Sequence, residues 1–148
     1  MLAGTHVTIL LAEDEDAHAE IVRRNLADAR VANRIYHVRD GQAALDYLKR
    51  AHDYSAPGAA PRPDLILLDL RLPRVDGLAV LQHIKGDPGL RAIPTVILTT
   101  SRAEQDVVAA YGYGAGSYLT KPVDFDQFTE AMRLLGMYWL LLNQPPKL

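Results

Sequence analysis

The sequence predicts an α/β protein with a doubly wound parallel sheet, and three observations support this fold class. Apolar runs alternate with helical patterns five times along the 148 residues. Most of these runs are apolar at every position, which is typical of strands that are covered on both faces. Each run is followed by apolar residues at helical spacing, which predicts a (βα)5 arrangement with right-handed crossovers.

Three strands and two helices are predicted in the first half of the chain. The strands cover Val7–Ala12 (VTILLA), Arg34–Val38 and Leu65–Leu68 (LILL). The helices are predicted at Asp16–Arg30 and Gly41–Ala51, with apolar residues recurring on one face at Ile21, Val22, Leu26 and Ala29, and at Ala44, Leu45 and Leu48. The segment 52–63 contains three prolines and one glycine, so we expect a surface loop within the same domain.

The second half of the chain continues the alternation. Helices predicted at Leu78–Lys85 and Ala103–Tyr113 alternate with strands at Thr95–Leu98 (TVIL) and Ser117–Leu119. The first of these helices is expected to turn Val80, Leu81 and Ile84 inward, and the second carries Val107, Val108 and Tyr111. A last helix is predicted from Asp124 to about Leu142, followed by a short frayed tail. We therefore expect residues 1–148 to form a single domain.

Composition excludes several classes of protein. The formal net charge is −2 and the isoelectric point is near 6.2, which argues against nucleic-acid binding. The chain has no cysteine, so disulfides, thiol nucleophiles and cysteine-ligated metals are excluded. No apolar run is long enough to span a membrane, and the first residues lack the pattern of a signal peptide. A cytoplasmic location with no membrane contact is the expectation.

Polar side chains stand directly after four of the predicted strands. Glu13 and Asp14 follow the first strand, Asp69 the third, Thr99 the fourth and Lys121 the fifth. In an open parallel sheet the carboxyl ends of the strands form one edge, where ligands bind. A single acid after a strand is often a helix cap, but three clustered carboxylates repel one another unless a cation joins them. Their all-oxygen chemistry predicts a hard cation such as Mg²⁺.

The order and spacing of these motifs resemble the receiver domain of two-component response regulators over about residues 6 to 135. The motifs are Glu13-Asp14, Asp69 within LLDLRLPRVDG, Thr99-Thr100-Ser101 and Lys121-Pro122. The resemblance implies a flavodoxin-like sheet with strand order 2-1-3-4-5. It also implies a signalling protein rather than an enzyme: Asp69 accepts a phosphoryl group from a phosphohistidine of a sensor kinase or phosphotransfer protein. The chain then assists only its own phosphorylation and dephosphorylation.

The resemblance also implies roles for the residues around Asp69. Asp14, Asp69 and the backbone carbonyl of Arg71 are expected to ligate Mg²⁺, with Glu13 acting through a metal-bound water. Lys121 is expected to add a second cation and to precede a cis peptide bond to Pro122. Arg71 departs from the Asn or other small or polar residue that is common at its position. Its side chain is expected either to shield the acyl phosphate or to pair with Glu13, and Ser101 is expected to flank the path of the hydrolytic water.

Thr99 and Tyr118 match the two switch positions of the resembled family. The Thr99 hydroxyl is expected to swing towards a phosphoryl oxygen, and Tyr118 to turn inward as Thr99 moves. A packed aromatic on a strand is the alternative interpretation of Tyr118. In the loop after Asp69, Gly77 is expected to start a helix or to have a positive φ, and Asp76 to cap that helix.

The last helix has two apolar stripes. The first is a predicted core stripe, formed by Phe125, Phe128, Met132, Leu135, Trp139 and Leu142. The second, formed by Leu134, Tyr138 and Leu141, needs another cover, and a homodimer contact is favoured over a larger core within one chain. This extension and the proline-rich loop are similar to the small stand-alone regulators that partner bacterial phytochrome histidine kinases. Output through protein–protein contact is the expected function.

Three other interpretations share parts of the pattern. A phosphohydrolase of the haloacid dehalogenase kind uses an Asp after a strand, but has a second acid where this chain has Arg71. A flavodoxin-like cofactor carrier needs a phosphate loop rich in Ser, Thr and Gly, whereas residues 13–16 are all acidic. A pseudo-receiver that binds partners without phosphorylation is disfavoured by the complete acidic set and Lys121.

Overall fold

Five strands and five α-helices alternate along the described part of the chain. A computed structural model describes residues 6–28, 33–100, 102–110, 112 and 117–134. The strands are β1 (Val7–Ala12), β2 (Asn33–Val38), β3 (Leu65–Asp69), β4 (Thr95–Thr99) and β5 (Ser117–Thr120). The helices are α1 (Asp16–Asp28), α2 (Gly41–Lys49), α3 (Gly77–Gly86), α4 (Arg102–Ala110) and α5 (Phe125–Leu134), and a 3-10 turn spans His52–Tyr54.

The strands form one parallel sheet in the order β2-β1-β3-β4-β5, which confirms the predicted fold. The central strand β3 lies between β1 and β4, with Asp69 opposite Leu98 of β4. The connection from β1 leads to β2 on one side, whereas β3 lies on the other side of β1. The carboxyl ends of β1 and β3 therefore flank the switch point of the sheet. This is the position at which open α/β sheets bind ligands.

Alternating side chains of the strands point to opposite faces and build two separate cores. On one face Ile9, Leu67 and Leu98 pack with residues of α1 and α5, including Phe128 and Met132. The other face packs against α2, α3 and α4, with a buried cluster that includes Leu10, Leu68, Ile97, Tyr47, Val80, Leu81, Ile84 and Val108. Burial on both faces explains why the strands are continuously apolar in sequence.

The strands and helices differ from their predicted bounds mainly at their ends. The last three strands each extend one residue further than predicted, because Asp69, Thr99 and Thr120 still pair with neighbouring strands. Helix α2 ends at Lys49, where Arg50 adopts a left-handed conformation with φ of 53°. The side chain of Asp40 accepts a hydrogen bond from Ala43 N at 2.7 Å and so caps the start of α2.

One predicted core position is wrong, because it faces solvent. Phe125, the first residue of α5, is 42% exposed. On α4, Val107 is 48% exposed whereas Val108 is buried. Phe128 and Met132 are buried as predicted, whereas Leu134 of the second stripe is 60% exposed. The remaining predicted positions on the two stripes lie outside the described residues, as do Ala29, Ser101 and Tyr111. Within the described part of the chain, no helix combines the length and apolarity needed to cross a membrane.

Candidate metal and phosphoacceptor site

The carboxyl edge of the sheet brings together the polar residues that the sequence singled out. Glu13 directly follows β1, Asp69 and Thr99 are the last residues of β3 and β4, and Lys121 directly follows β5. Lys121 N donates a hydrogen bond to Thr99 O at 2.8 Å, so the ladder between β4 and β5 continues into the site. The peptide bond between Lys121 and Pro122 is cis, as expected.

Three carboxylates form a cluster at this edge. Glu13, Asp14 and Asp69 each offer an oxygen atom, and these atoms all lie within 4.8 Å of one another. Glu13 and Asp69 are buried, whereas Asp14 is exposed, so the cluster opens to solvent on one side. Oxygen ligands with access for water suit a hard divalent cation, which retains several waters. The residues present therefore fit the metal site predicted from the sequence.

The Lys121 ammonium links two of the acids. Its Nζ lies 2.7 Å from Asp69 Oδ2 and 2.6 Å from Glu13 Oε1, and the side chains of all three residues are almost fully buried. Burial by itself lowers the pKa of Lys121, but the contacts with Asp69 and Glu13 outweigh it and raise the pKa overall. Lys121 is therefore charged at neutral pH and offsets part of the carboxylate repulsion.

Glu13 is the most strongly perturbed acid of the site. Burial is the largest influence and raises its pKa to about 7, although the contact with Lys121 opposes this shift. Its backbone is also held in place, because the His37 ring Nε2 lies 2.7 Å from Glu13 O. No pattern in the sequence predicts this contact, which joins the ends of two neighbouring strands. A carboxyl group at this position is easily neutralised unless a further cation approaches.

The loop after β3 curls tightly around Asp69. Arg71 N donates a hydrogen bond to Asp69 Oδ1 at 2.9 Å, and Gly77 N donates to Leu70 O at 2.9 Å. A Cβ atom on Gly77 would lie 2.1 Å from Asp69 O, so only glycine fits at the start of α3. The expectation that Gly77 starts the helix is confirmed, whereas positive φ in this loop occurs at Arg74. Asp76 caps α3 by accepting a hydrogen bond from Ala79 N at 2.9 Å.

Of the two alternatives expected for the Arg71 side chain, the pairing with Glu13 is wrong. The Arg71 guanidinium instead forms an ion pair with Glu104 in the first turn of α4. Glu104 also accepts hydrogen bonds from the Thr99 hydroxyl and, at 3.2 Å, from Thr100 N. Glu13 is paired with Lys121 instead, whose Nζ lies 2.6 Å from Glu13 Oε1.

Glu104 was missed in the sequence, although a local signal marks it. The motif Ser101-Arg102-Ala103-Glu104 has the spacing of a capping box, in which an acid at the third helical position bonds back to a main-chain N–H. The hydrogen bond in the structure comes from Thr100 N, one residue before the position that this pattern specifies. The pattern contains no information on Arg71, which lies 33 positions earlier in the chain.

Tyr118 lies one strand position before the buried Leu119 and is half-buried against the core formed with α2, α3 and α4. It stands opposite Ile97 in the ladder between β4 and β5, two residues before Thr99. Burial raises the pKa of the Tyr118 hydroxyl, and the nearby charge of Asp106 on α4 adds to this shift. The side chain thus packs on the face of the sheet that α2, α3 and α4 cover, near Asp106 of α4.

A parallel sheet of this order, with three acids and a buried lysine at its carboxyl edge, defines a receiver-type α/β protein. The family profile of the response regulator receiver domain matches residues 9–133, and the chain belongs to this family. Receiver domains are signalling proteins of two-component systems: they are phosphorylated on an aspartate, bind a divalent metal and interact with sensor kinases or phosphotransfer proteins. This membership favours the response regulator over the phosphohydrolase and the flavodoxin-like carrier.

Three proteins illustrate the similarity. The probable methanogenesis regulatory protein FilR2 of Methanothrix harundinacea is 45% identical over 138 residues, which are 93% of this chain and 86% of FilR2. Response regulator Rcp1 of Synechocystis is 39% identical over 89% of this chain and 88% of its own length. Its Mn²⁺-bound crystal structure matches with a TM-score of 0.73 and covers 95% of this chain and 99% of that one.

The third is a solved bacteriophytochrome response regulator, RtBRR. It matches with a TM-score of 0.86 and 44% identity, over 96% of this chain and 85% of RtBRR. The similarity therefore extends over nearly the whole chain in both sequence and three-dimensional structure.

Proposed function

We propose that Asp69 is the phosphoacceptor of this response regulator and that residues 1–148 form one receiver domain. The observation that carries this assignment is the position of Asp69 Oδ2, 2.7 Å from the Lys121 ammonium in a buried cluster with a second acid. Asp69 stands at the carboxyl end of the central strand, where its other oxygen faces the loop backbone. Asp69 is thus held by Lys121 on one side and by the loop backbone on the other, and Glu13 is held in a comparable way by Lys121 and Glu15 N.

The reaction proposed is phosphoryl transfer from a phosphohistidine of a sensor kinase or phosphotransfer protein. A carboxylate oxygen of Asp69 attacks phosphorus, and an O–P bond forms as the N–P bond of the donor breaks. The imidazole leaves with the electron pair and takes up a proton. Phosphoryl transfer needs mainly in-line positioning and charge neutralisation, and Lys121 supplies a buried positive charge beside the attacking carboxylate. Hydrolysis of the acyl phosphate at the same site resets the protein.

Mg²⁺ is the proposed cofactor. Asp14, Asp69 and the Arg71 carbonyl would hold it directly, with Glu13 acting through a bound water. When bound, the cation neutralises charge on the phosphoryl oxygens. Glu13 and Asp69 keep their orientation through Lys121, and exposed Asp14 leaves room for waters and for the incoming group. The Mn²⁺-bound form of Rcp1 supports a divalent cation in a relative of this chain.

Thr99 and Tyr118 are the proposed switch. The Thr99 hydroxyl leaves its present partner and donates to a phosphoryl oxygen, and Tyr118 turns inward into the space beside β4. The ladder position of Tyr118, opposite Ile97 and two residues before Thr99, supports a coupled movement. Output then passes through the face formed by α4, β5 and α5 to another protein.

A bacteriophytochrome-type histidine kinase is the proposed phosphodonor, on the strength of the similarity to RtBRR and to the phytochrome response regulator RcpA. A homodimer through the last helix is also proposed, with Leu134, Tyr138 and Leu141 at its centre. The 60% exposure of Leu134 supports this surface at its described end. Replacing the three residues together by polar ones should give a folded monomer that still accepts phosphate, which sedimentation velocity would test against wild-type protein.

Labelled acetyl phosphate and a phosphorylated phytochrome kinase provide the test of phosphoacceptance. Wild-type protein should incorporate label in the presence of Mg²⁺, and Asp69→Asn should incorporate none, because the amide keeps the shape of the side chain without its nucleophilic charge. Asp76→Asn is a matched control, since Asp76 caps α3 in the same loop and lies outside the acidic cluster. Labelling of Asp69→Asn at the wild-type rate would refute the assignment.

A further inference from the structure

We propose that Glu104 is a positioning residue that holds both the Thr99 hydroxyl and the Arg71 guanidinium until a phosphoryl group on Asp69 competes for them. This inference rests on the proposed phosphoacceptor role of Asp69. It assigns to α4 a direct chemical connection with the site, made by one carboxylate. We call this arrangement of Glu104, Thr99 and Arg71 the Glu104 clamp.

The geometry of the clamp joins three separate segments of the chain. Glu104 Oε1 accepts hydrogen bonds from the Thr99 hydroxyl and from Thr100 N, at the end of β4. Glu104 Oε2 accepts from Arg71 Nε, in the loop that follows β3. The carboxylate thus connects α4 to the two strands on which the phosphoacceptor and the switch threonine stand.

Burial and charge make the two halves of the clamp unequal. Thr99 is 1% exposed, and the Glu104 side chain is 16% exposed, so their hydrogen bond is largely shielded from water. The Arg71 side chain is 74% exposed, and its ion pair is weakened by solvent. Burial acts to raise the pKa of Glu104, but the bonds from Thr99 and Arg71 prevail and lower it. Glu104 is therefore ionised at neutral pH, and its hydrogen bond with Thr99 is charge-assisted.

A phosphoryl group on Asp69 would compete for the same donors. Asp69 is opposite Leu98, the residue before Thr99, and Arg71 N already donates to Asp69 Oδ1. Phosphorylation places further anionic oxygens beside both donors, which prefer the acceptor with more charge. Once Thr99 and Arg71 turn to the phosphoryl group, Glu104 loses two of its partners and the first turn of α4 is released. The clamp therefore opposes the phosphorylated conformation, and phosphorylation in turn frees α4.

This competition has a measurable consequence for anion binding. A protein whose binding-competent conformation is only partly populated binds its ligand more weakly by that fraction. Loss of a hydrogen bond to a charged group shifts such an equilibrium by about tenfold or more. Removing the Glu104 carboxylate should therefore increase the affinity for a phosphoryl analogue by about tenfold, with no change in the residues that contact the analogue.

Beryllofluoride with Mg²⁺ is the probe, and fluorine NMR gives its dissociation constant. Glu104→Ala should bind it about tenfold more tightly than wild-type protein, and Glu104→Gln, which keeps hydrogen-bond acceptance, should lie between the two. The control is Glu130→Gln. It removes the same charge from another glutamate–arginine pair, which Glu130 forms with Arg133 on α5. Unchanged affinity in Glu130→Gln and increased affinity in both Glu104 variants support the clamp.

A double-mutant cycle separates the clamp from a general effect of charge. Removing a negative charge near an anion site increases affinity by the same factor in any background, whereas residues in contact show coupling. In the Thr99→Ala background, the gain from Glu104→Gln should shrink several-fold. An equal gain with and without Thr99, or unchanged or weaker binding in both Glu104 variants, would overturn the inference.

Failure of the proposed function gives a different result. Wild-type protein that binds no beryllofluoride in the presence of Mg²⁺ would overturn both the phosphoacceptor assignment and the clamp. Wild-type protein that binds it normally, together with Glu104 variants of wild-type affinity, would overturn the clamp alone. Circular dichroism establishes that each variant is folded. The isosteric Glu104→Gln decides the outcome if Glu104→Ala does not fold.

Discussion

Lys121 Nζ and Asp69 Oδ2 lie 2.7 Å apart, although 52 positions separate the two residues in the sequence. The same ammonium lies 2.6 Å from Glu13 Oε1. Lys121 is therefore paired with two of the three carboxylates that would surround a divalent cation. Lys121 both neutralises the acidic cluster and competes for its oxygens, and these two effects can be measured separately.

Replacing Lys121 by methionine should strengthen metal binding and weaken phosphorylation. Lys121→Met removes the competing ammonium, so the Mg²⁺ affinity should rise by roughly tenfold, which corresponds to about 1.4 kcal/mol. Phosphorylation by acetyl phosphate should become slower, since no buried charge faces the phosphoryl oxygens. Calorimetric titration and label incorporation measure the two effects. Weaker Mg²⁺ binding in Lys121→Met would show that the lysine organises the acids instead of competing with the cation.

Acids of the cluster should differ in their effect on Mg²⁺ affinity. Asp14→Ala removes a direct ligand of the metal. It should weaken Mg²⁺ binding more than Glu13→Ala does, because Glu13 acts through a bound water. The loss of Mg²⁺ affinity in Glu13→Ala should be about tenfold. Titration calorimetry provides the dissociation constants. Asp16→Ala is the matched control, because Asp16 is an exposed acid two residues further on that pairs with Arg39. Equal affinities for Asp14→Ala, Glu13→Ala and wild type would place the metal elsewhere.

Substitution of Gly77 should disturb both stability and the site. In Gly77→Ala the new methyl group would meet Asp69 O at 2.1 Å, and relief requires movement of the loop backbone. Overpacking of this kind lowers the free energy of unfolding by about 1–3 kcal/mol, and phosphorylation of Asp69 should slow as well. Urea unfolding measures the loss.

Gly86→Ala is the control for that substitution. Gly86 ends the same helix, and a Cβ there meets no atom within 4 Å. Its free energy of unfolding should stay unchanged or rise by less than about 1 kcal/mol. A Gly77→Ala variant as stable as Gly86→Ala would contradict the close approach between α3 and Asp69.

Acid should remove the stabilising effect of Glu104. The pKa of Glu104 is lowered below its usual value of 4.5, because the bonds from Thr99 and Arg71 outweigh the opposing effect of burial. A group with a lowered pKa stabilises the fold above its unfolded pKa, and this stabilisation is lost as the pH falls through the folded pKa. The difference in unfolding free energy between wild type and Glu104→Gln should thus be constant near neutral pH and shrink below pH 4.5.

Chemical unfolding at a series of pH values measures that difference. Glu130→Gln should give a smaller change over the same range, because solvent screens the exposed pair with Arg133. A difference between wild type and Glu104→Gln that persists undiminished in acid would show that the ionised carboxylate of Glu104 contributes nothing to stability.

Periodicity and strand-end chemistry in the sequence were enough to predict the sheet and the composition of the site. Strands buried on both faces must be continuously apolar, and the carboxyl ends of parallel strands share one edge. Glu13, Asp69 and Lys121 could therefore be placed together from their positions in the chain alone. The same reasoning failed for Phe125, the first residue of α5, which is exposed. Helical spacing predicts which face of the helix a residue lies on, but not where along the helix the packing against the sheet begins.

Only the tertiary structure decided how the side chains of the site are paired. Arg71 binds Glu104 rather than Glu13, and the two partners are 33 positions apart in the chain. Local patterns carry no information on such a pairing, since it depends on the distance between a loop and a helix that meet only after the sheet has formed. The raised pKa of Glu13 has the same origin, because burial by neighbouring strands, and not residue type, determines how strongly a carboxylate is desolvated.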